Sequence, residues 1–106
     1  MLSGYRLMWL MTIFDLPVQT KEQRKEASGF RNHLLDSGFE MVQYSVYMKS
    51  CSGKDQAETI CSRISDRVPR NGNIKVLQFT DKQFGEIRHF GSAKKREIDT
   101  QQLVLF

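Results

Sequence analysis

The chain has 106 residues, which is the length of one domain rather than two. Hydrophobic residues make up 40% of it and charged residues 26%, a balance that excludes an intrinsically disordered chain. The formal net charge of +4 favours an anionic partner, although many small domains that bind no polyanion are mildly basic.

The basic residues are concentrated in one part of the chain. Residues 1–50 contain six Lys or Arg against five Asp or Glu, whereas residues 67–96 contain eight against two. Each cation on a phosphate-facing surface can displace a condensed counterion, so this surplus suits nucleic-acid binding. A solvated basic face without a partner explains it about as well. The cations that we assign to nucleic-acid binding are Arg67, Arg70, Lys75, Lys94, Lys95 and Arg96.

The cysteines and the apolar runs predict a cytoplasmic protein that does not enter a membrane. If the segment between Cys51 and Cys61 is helical, the two lie about 15 Å apart along the helix axis at ~1.5 Å per residue. A disulfide tolerates only about 7 Å between Cα atoms, so we expect two reduced thiols. The apolar run at residues 7–14 is far shorter than the roughly 20 residues that a membrane span requires, and it lacks the features of a secretory signal.

The first predicted element is a central strand. Residues 6–14 are almost continuously apolar and end at Asp15-Leu16-Pro17, and proline cannot continue a central strand. A strand that is apolar on both faces needs cover on both, from helices or from a second subunit. Thr20 and Gln23 then form a capping box that opens a helix of four to five turns, ending near Gly38.

Residues 39–49 alternate between two faces. Val42, Tyr44, Val46 and Met48 form one face, and the polar face consists of Gln43, Ser45, Tyr47 and Lys49. This period predicts half-buried β-structure. One strand and two short strands joined at a kink both fit, because no glycine or proline marks a turn.

A second helix is predicted from Ser52, with a core stripe that runs as far as Val68 and a stop at Pro69. Residues 74–80 alternate as a further strand, and residues 84–90 are expected to add a short strand or a turn. Residues 92–100 are polar and basic. The last four residues are apolar, namely Leu103, Val104, Leu105 and Phe106.

This order predicts an α+β fold, a ferredoxin-like βαββαβ sandwich over residues 1–91, followed by a basic linker and a pairing strand over residues 92–106. An apolar chain end needs burial, which pairing with a sheet edge of this subunit or of a partner supplies; docking of the tail on its own domain is the alternative. The uncovered sheet face predicts a two-fold homodimer.

Asp15 is the candidate for chemistry, because it lies where a buried strand enters a loop. Its carboxylate suits Mg²⁺ or Mn²⁺, although Asp-x-Pro after a strand is more often a turn. Two copies related by a dimer axis would make a better site, with Gln43 and Ser45 in support. We expect Trp9 in the core and His33 at the surface rather than acting as a base.

Several motifs together resemble the CRISPR-associated protein two family, and most closely its members from type II systems. They occur in the family's order over nearly the whole chain. They are the segments Arg6-Leu-Met-Trp-Leu, Phe14-Asp15-Leu16-Pro17, Gly38-Phe39, Gln43-Tyr44-Ser45-Val46-Tyr47, Thr80-Asp81-Lys82-Gln83-Phe84-Gly85 and Gln102-Leu103-Val104-Leu105-Phe106.

This resemblance implies a homodimer whose C-terminal strand extends the partner's sheet. It implies a role in spacer acquisition, in which the dimer bridges two dimers of the CRISPR-associated protein one integrase and holds double-stranded DNA. It also implies an alternative activity as a metal-dependent endoribonuclease or deoxyribonuclease, with Asp15 as the Mg²⁺ or Mn²⁺ ligand and single-stranded RNA as another substrate. A plain RNA-binding module ranks last, because the first strand lacks exposed aromatic residues.

Overall fold

The structure, a computed structural model, describes residues 7–91. Four strands form one antiparallel sheet in the order β2-β3-β1-β4, and the helices connect them as the sequence predicted. The fold is α+β and ferredoxin-like. The elements are β1 (Met8–Asp15), α1 (Lys21–Asp36), β2 (Glu40–Gln43), β3 (Val46–Cys51), α2 (Lys54–Ser65), β4 (Asn73–Thr80) and α3 (Asp81–Gly85).

The predicted central strand is confirmed as β1, which pairs with β3 on one side and β4 on the other. Its side chains alternate between two apolar faces of the sheet. Leu10 and Phe14 belong to a core built with α1 and α2, whereas Trp9 belongs to a second cluster on the opposite face. We call the first the helix face and the second the open face.

The helix face is buried because the apolar stripes of both helices match the strand alternation. Phe30 and Leu34 of α1 and Ile60 and Ile64 of α2 are buried against it. The predicted capping box begins α1, since the Thr20 hydroxyl accepts a hydrogen bond from the Gln23 amide at 3.0 Å. Burial of this stripe holds both helices on one side of the sheet.

Within residues 7–91, the open face is covered only at one end. There the Trp9 ring stacks on Phe84 of α3, with ring centroids 3.8 Å apart, and its indole N–H donates to the Asp81 carboxylate at 2.9 Å. Trp9 is therefore a core residue, as expected. Residues 84–90, expected to add a short strand or a turn, form no strand: Thr80 and Gln83 form a second capping box that begins a short helix, and a turn at Glu86 follows it.

The segment after α1 forms two strands, which resolves the alternative that the sequence left open. β2 and β3 are joined by the turn Tyr44-Ser45, in which Ser45 has a φ of +63°. A register shift between Met41 and Gln43 breaks the simple alternation. Tyr47 is buried on the helix face, so its assignment to a polar face was wrong.

The second helix is shorter than the sequence predicted. It begins after Gly53, not at Ser52, and it ends at Ser65, well before Pro69. Val68 therefore lies in the connection to β4 and is exposed, so its place in the core stripe was wrong. The thiols of Cys51 and Cys61 are both free, as expected.

No helix within residues 7–91 has both the length and the hydropathy needed to cross a bilayer. The predicted basic linker and pairing strand lie outside the described residues. This applies to Lys94, Lys95, Arg96 and the apolar tail, Leu103, Val104, Leu105 and Phe106.

Thr12 is the weak point of the helix face. Its side chain lies between Leu10 and Phe14 on β1, is 0% exposed, and its hydroxyl has no hydrogen-bond partner within residues 7–91. A buried, unsatisfied hydroxyl costs about 1–3 kcal/mol. Thr12→Val keeps the branched shape and removes that cost, so we expect the free energy of unfolding in urea to rise by about 1 kcal/mol.

Thr80→Val is the matched control, because it deletes a hydroxyl that caps α3 through the Gln83 amide. Loss of a cap costs about 1 kcal/mol, so the control should be less stable than the wild-type chain. A Thr12→Val protein no more stable than the wild type would show that the hydroxyl is satisfied.

Candidate functional site

Asp15 ends the central strand, and its side chain is exposed. It has the same parity along β1 as Trp9 and Ile13, so it points from the open face and not toward the helices. Its partner across the sheet is Asn73, the first residue of β4. The carboxylate therefore stands at one end of the open face, which we call the Asp15 end.

The turn between β2 and β3 lies beside Asp15. The Phe14 amide donates a hydrogen bond to the Ser45 carbonyl at 3.1 Å, which fixes this turn against the end of β1. Ser45 and Gln43 are therefore near Asp15, as the hypothesis of a supporting role requires. Gln43 is exposed, and Ser45 is half-buried in the left-handed conformation that only a few per cent of non-glycine residues adopt.

Of the predicted basic residues, Lys75 lies closest to this end of the open face, opposite Ile13. Arg70 belongs to the connection that leads into Asn73, whereas Arg67, in the same connection, acts on His33 of α1 and so lies on the helix side of the sheet. All three are exposed. The connection packs closely on the segment after Asp15, since a Cβ at Gly72 would lie 2.7 Å from a Leu16 methyl carbon.

Arg24 is a basic residue of this region that the sequence analysis did not select. It lies in the first turns of α1, and its guanidinium donates to the carbonyls of Val18 and Gln19 at 3.2 Å. These bonds hold the connection that follows Asp15. The helix dipole disfavours cations near a helix N-terminus, so the unusual position of Arg24 was the feature of the sequence that could have indicated a specific role for it.

The uncovered part of the open face is apolar. Beyond Trp9, the alternation of β1 and β4 places Met11, Ile13 and Leu77 on it, and Ile13 and Leu77 are 37% and 38% exposed. Val46 of β3 pairs with Ile13 on the same face. An apolar strip therefore extends along the sheet from the Trp9 cluster to the Asp15 end.

Within residues 7–91 no three acidic, histidine or cysteine side chains lie close enough together to hold a metal ion. Mg²⁺ is commonly bound by one or two carboxylates and keeps several waters. One Asp15 from each of two chains would supply two carboxylates and fit that donor set.

His33 is not placed to assist Asp15, because α1 covers the helix face and Asp15 points from the open face. The expectation of a surface position needs correction, since the ring is half-buried and its Nε2 is buried without a hydrogen-bond partner in the described part of the chain. Burial lowers the pKa of His33, and Arg67 and Arg63 lower it further, against a smaller opposing effect of Asp36.

One cavity, of about 440 Å³, lies away from this site. Its lining includes Leu7, Trp9, Ser50 and Gln56, which places it where β1 begins and β3 ends. Asp15 lies at the other end of β1. The cavity therefore adds nothing to the chemistry of the Asp15 end.

These features define a class of protein, a small ferredoxin-like α+β domain with an incompletely covered sheet and an acidic residue at the end of its central strand. The family model for CRISPR associated protein Cas2 matches residues 8–87, which contain every described strand and helix. The chain belongs to the Cas2 family.

Relatives support this membership over most of the chain. A CRISPR-associated endoribonuclease Cas2 of Paracidovorax avenae is 52% identical over 84 residues, covering 79% of this chain and 78% of the relative. The protein of the same name from Flavobacterium psychrophilum is 46% identical over 107 residues, covering 99% and 93%.

Solved structures show the same fold at lower sequence identity. A crystal structure of a Cas2 protein superposes with a TM-score of 0.59 at 19% identity, covering 83% of this chain and 91% of that one. The Cas2 of Streptococcus pyogenes at pH 6.5 gives 0.57 at 17% identity, covering 78% and 99%. At these identities the likeness establishes the fold alone.

The lowered pKa of His33 predicts a loss of stability in acid. In the unfolded chain, the His33 ring takes up a proton near pH 6.5, its ordinary pKa. In the folded chain the ring takes up that proton only at a lower pH, so between these two pH values protonation favours the unfolded state. The free energy of unfolding should therefore fall as the pH drops from about 7 toward 5. Urea titrations of the wild-type chain and of His33→Gln test this, and the fall should be smaller in the variant. Equal pH profiles would contradict the assignment.

Proposed function

We propose that this protein acts in CRISPR spacer acquisition as a homodimer that bridges dimers of the CRISPR-associated protein one integrase and holds a short DNA duplex. The observation that carries the proposal is the apolar strip of the open face, which ends beside a group of exposed cations. Its two free thiols suit the reducing cytoplasm, where we place it.

The dimer follows from the open face. Ile13 and Leu77 are exposed apolar side chains on this face, next to the partly buried Met11, and no element within residues 7–91 covers them. Apolar surface of this kind is buried by association. A two-fold contact places the same strip of each copy against the other, and the two Asp15 ends then belong to one surface.

DNA binding follows from charge. Lys75 is exposed on the open face and Arg70 is exposed in the connection that leads to Asn73, and a dimer would present two such pairs; Arg67 is exposed on the helix side. Contacts of lysine and arginine with phosphates carry little sequence information and weaken steeply with salt. Such contacts suit a protein that holds duplexes of many sequences.

Leu77→Glu tests the proposal, because it places a charge in the open face without altering the helix face. We expect the variant to sediment as a monomer and to lose the salt-dependent capture of a short duplex in the presence of the integrase. Analytical ultracentrifugation and fluorescence anisotropy of a labelled duplex measure the two effects.

Leu35→Glu is the matched control, since Leu35 is 47% exposed on α1, away from the open face. It should remain a dimer and bind as the wild-type chain does. Equal dimerisation by both variants would exclude the open face as the interface. Capture of the duplex by the wild-type complex that does not change between low and high salt would contradict the phosphate contacts.

A second candidate function is a divalent-metal-dependent endonuclease acting on RNA or DNA. It is favoured by the exposed carboxylate of Asp15 at the end of the central strand, and the relatives' names include an endoribonuclease activity. Asp15 from both subunits would hold the cation. A bound Mg²⁺ or Mn²⁺ supplies charge stabilisation at a phosphodiester and activation of water.

The protein's own residues would position the substrate in this reaction. The Ser45 carbonyl already accepts a hydrogen bond from the Phe14 amide, which fixes the backbone of this turn next to Asp15. Ser45 and Gln43 would orient groups around the carboxylate, and Lys75 would neutralise phosphate charge. Asp15 is the one carboxylate that the proposal assigns to the cation from each chain, so the two-carboxylate site would form only in the dimer.

Asp15→Asn removes the charge that holds the cation and keeps the size of the side chain. We expect it to abolish Mg²⁺-dependent cleavage of labelled RNA and DNA while leaving the sedimentation coefficient unchanged. Glu58→Gln, an exposed carboxylate on α2, serves as the control and should cleave at the wild-type rate. Cleavage that survives Asp15→Asn, or that survives EDTA in the wild type, would contradict this candidate function.

A further inference from the structure

The ring of Tyr44 is the most exposed of the large apolar side chains within residues 7–91, at 88%. It occupies the first position of the two-residue turn between β2 and β3. The ring is not part of the hydrophobic core, because the nearby aromatic contacts join Phe14 to Phe30 and to Tyr47 on the helix face. The core therefore gives no reason for an aromatic residue at this position.

The geometry of the turn does not require tyrosine either. Tight turns favour Gly, Asn, Asp or Pro, because these residues adopt the needed backbone angles at low cost. In this turn it is Ser45 that adopts the left-handed conformation, at a conformational cost, whereas Tyr44 has no positive φ. Surrounding contacts maintain such a strained conformation, and here the contact is the hydrogen bond that the Phe14 amide donates to the Ser45 carbonyl.

The hydrogen bond between Phe14 and Ser45 also fixes what lies next to the ring. Asp15 and Tyr44 each adjoin one member of this bonded pair, so they are neighbours at the end of the sheet. Lys75 lies one pair further along the open face, opposite Ile13. The ring thus stands on a hydrogen-bonded turn beside a carboxylate, and the exposed Lys75 lies on β4, on the far side of β1 from this turn.

We propose that Tyr44 is a stacking platform for an unpaired nucleobase of the nucleic acid bound at the Asp15 end. The inference rests on the proposed function, because it assumes that nucleic acid reaches this end of the sheet. A tyrosine side chain has only two torsions, so a ring carried on a hydrogen-bonded turn loses little conformational freedom when a base stacks on it.

This placement also defines the class of ligand. In a continuous duplex both faces of every internal base are covered by neighbouring bases, so an exposed ring can stack only on a single strand, a flap or a duplex end. Base stacking tolerates any sequence, because every base has a π-face. Tyr44 therefore selects strand ends and single-stranded segments over continuous duplex, without selecting a sequence.

The test compares Tyr44→Ala and Tyr44→Phe with the wild-type protein. The probe is a single-stranded oligonucleotide carrying one 2-aminopurine, whose fluorescence falls when it stacks. We expect Tyr44→Ala to weaken binding of this oligonucleotide roughly ten- to hundredfold and to abolish the quenching. Tyr44→Phe keeps the ring and should keep both. Affinity for closed circular duplex, which has no ends, should be the same in all three proteins.

Phe90→Ala is the matched control, because Phe90 is 82% exposed and lies in the segment after α3, which begins at the other end of β4. It should bind and quench as the wild type does. If Tyr44→Ala also binds and quenches normally, the stacking role is wrong while the proposed function stands. If the wild type binds neither the oligonucleotide nor the circle, the proposed function fails and the stacking role with it.

Sedimentation of Tyr44→Ala separates stacking from a role in the dimer. The stacking role requires the variant to sediment as the wild-type protein does. A variant that becomes monomeric and loses affinity for both ligands would assign the ring to the subunit contact and would overturn the inference.

Discussion

The two-sided apolar character of β1 is the constraint on which the rest of the structure depends. A strand buried on both faces in the middle of a sheet needs two covering layers, and within residues 7–91 the helices provide one complete layer. Leu10 and Phe14 are covered by α1 and α2, whereas on the other face α3 covers the cluster of Trp9 and Met48 and leaves Ile13 and Leu77 exposed. The remaining apolar strip requires a second surface, and we propose that this is a copy of the same chain.

The constraint connects the fold to the candidate site. The strand that needs cover also carries Asp15 at its end, on the face that needs it. Association across that face would bring together groups that one chain holds singly, including a carboxylate and a set of cations. Both proposed functions require this association across the open face. They differ in whether the surface formed by the two chains holds a DNA duplex or also cleaves a phosphodiester bond.

Much of the fold could be predicted from local pattern. The continuous apolar run of β1, the capping box at Thr20 and the alternation of β4 each give a direct physical signal, and each is confirmed. The same capping signal at Thr80 and Gln83 was present in the sequence but was not read as a helix start. The turn at Ser45 was not predictable, because the sequence there has no glycine or proline, the residues that usually indicate a turn, and serine rarely adopts the left-handed conformation.

The candidate site was predictable only in part. The position of Asp15 at a strand end followed from the sequence. Its proximity to Ser45 depends on which strand lies beside β1. Its proximity to Arg70 and Lys75 depends on the pairing of β4 with β1. The exposure of Tyr44 depends on where the chain turns between β2 and β3, which the alternation of residues 39–49 does not mark. Pairing and register are long-range properties, and a single sequence carries weak information about them.

Sedimentation equilibrium of the wild-type chain at micromolar concentration tests most directly whether the open face is covered by a second copy. The account predicts a single species with twice the chain mass of 12.4 kDa, about 25 kDa. A species of 12.4 kDa throughout the concentration range would contradict it.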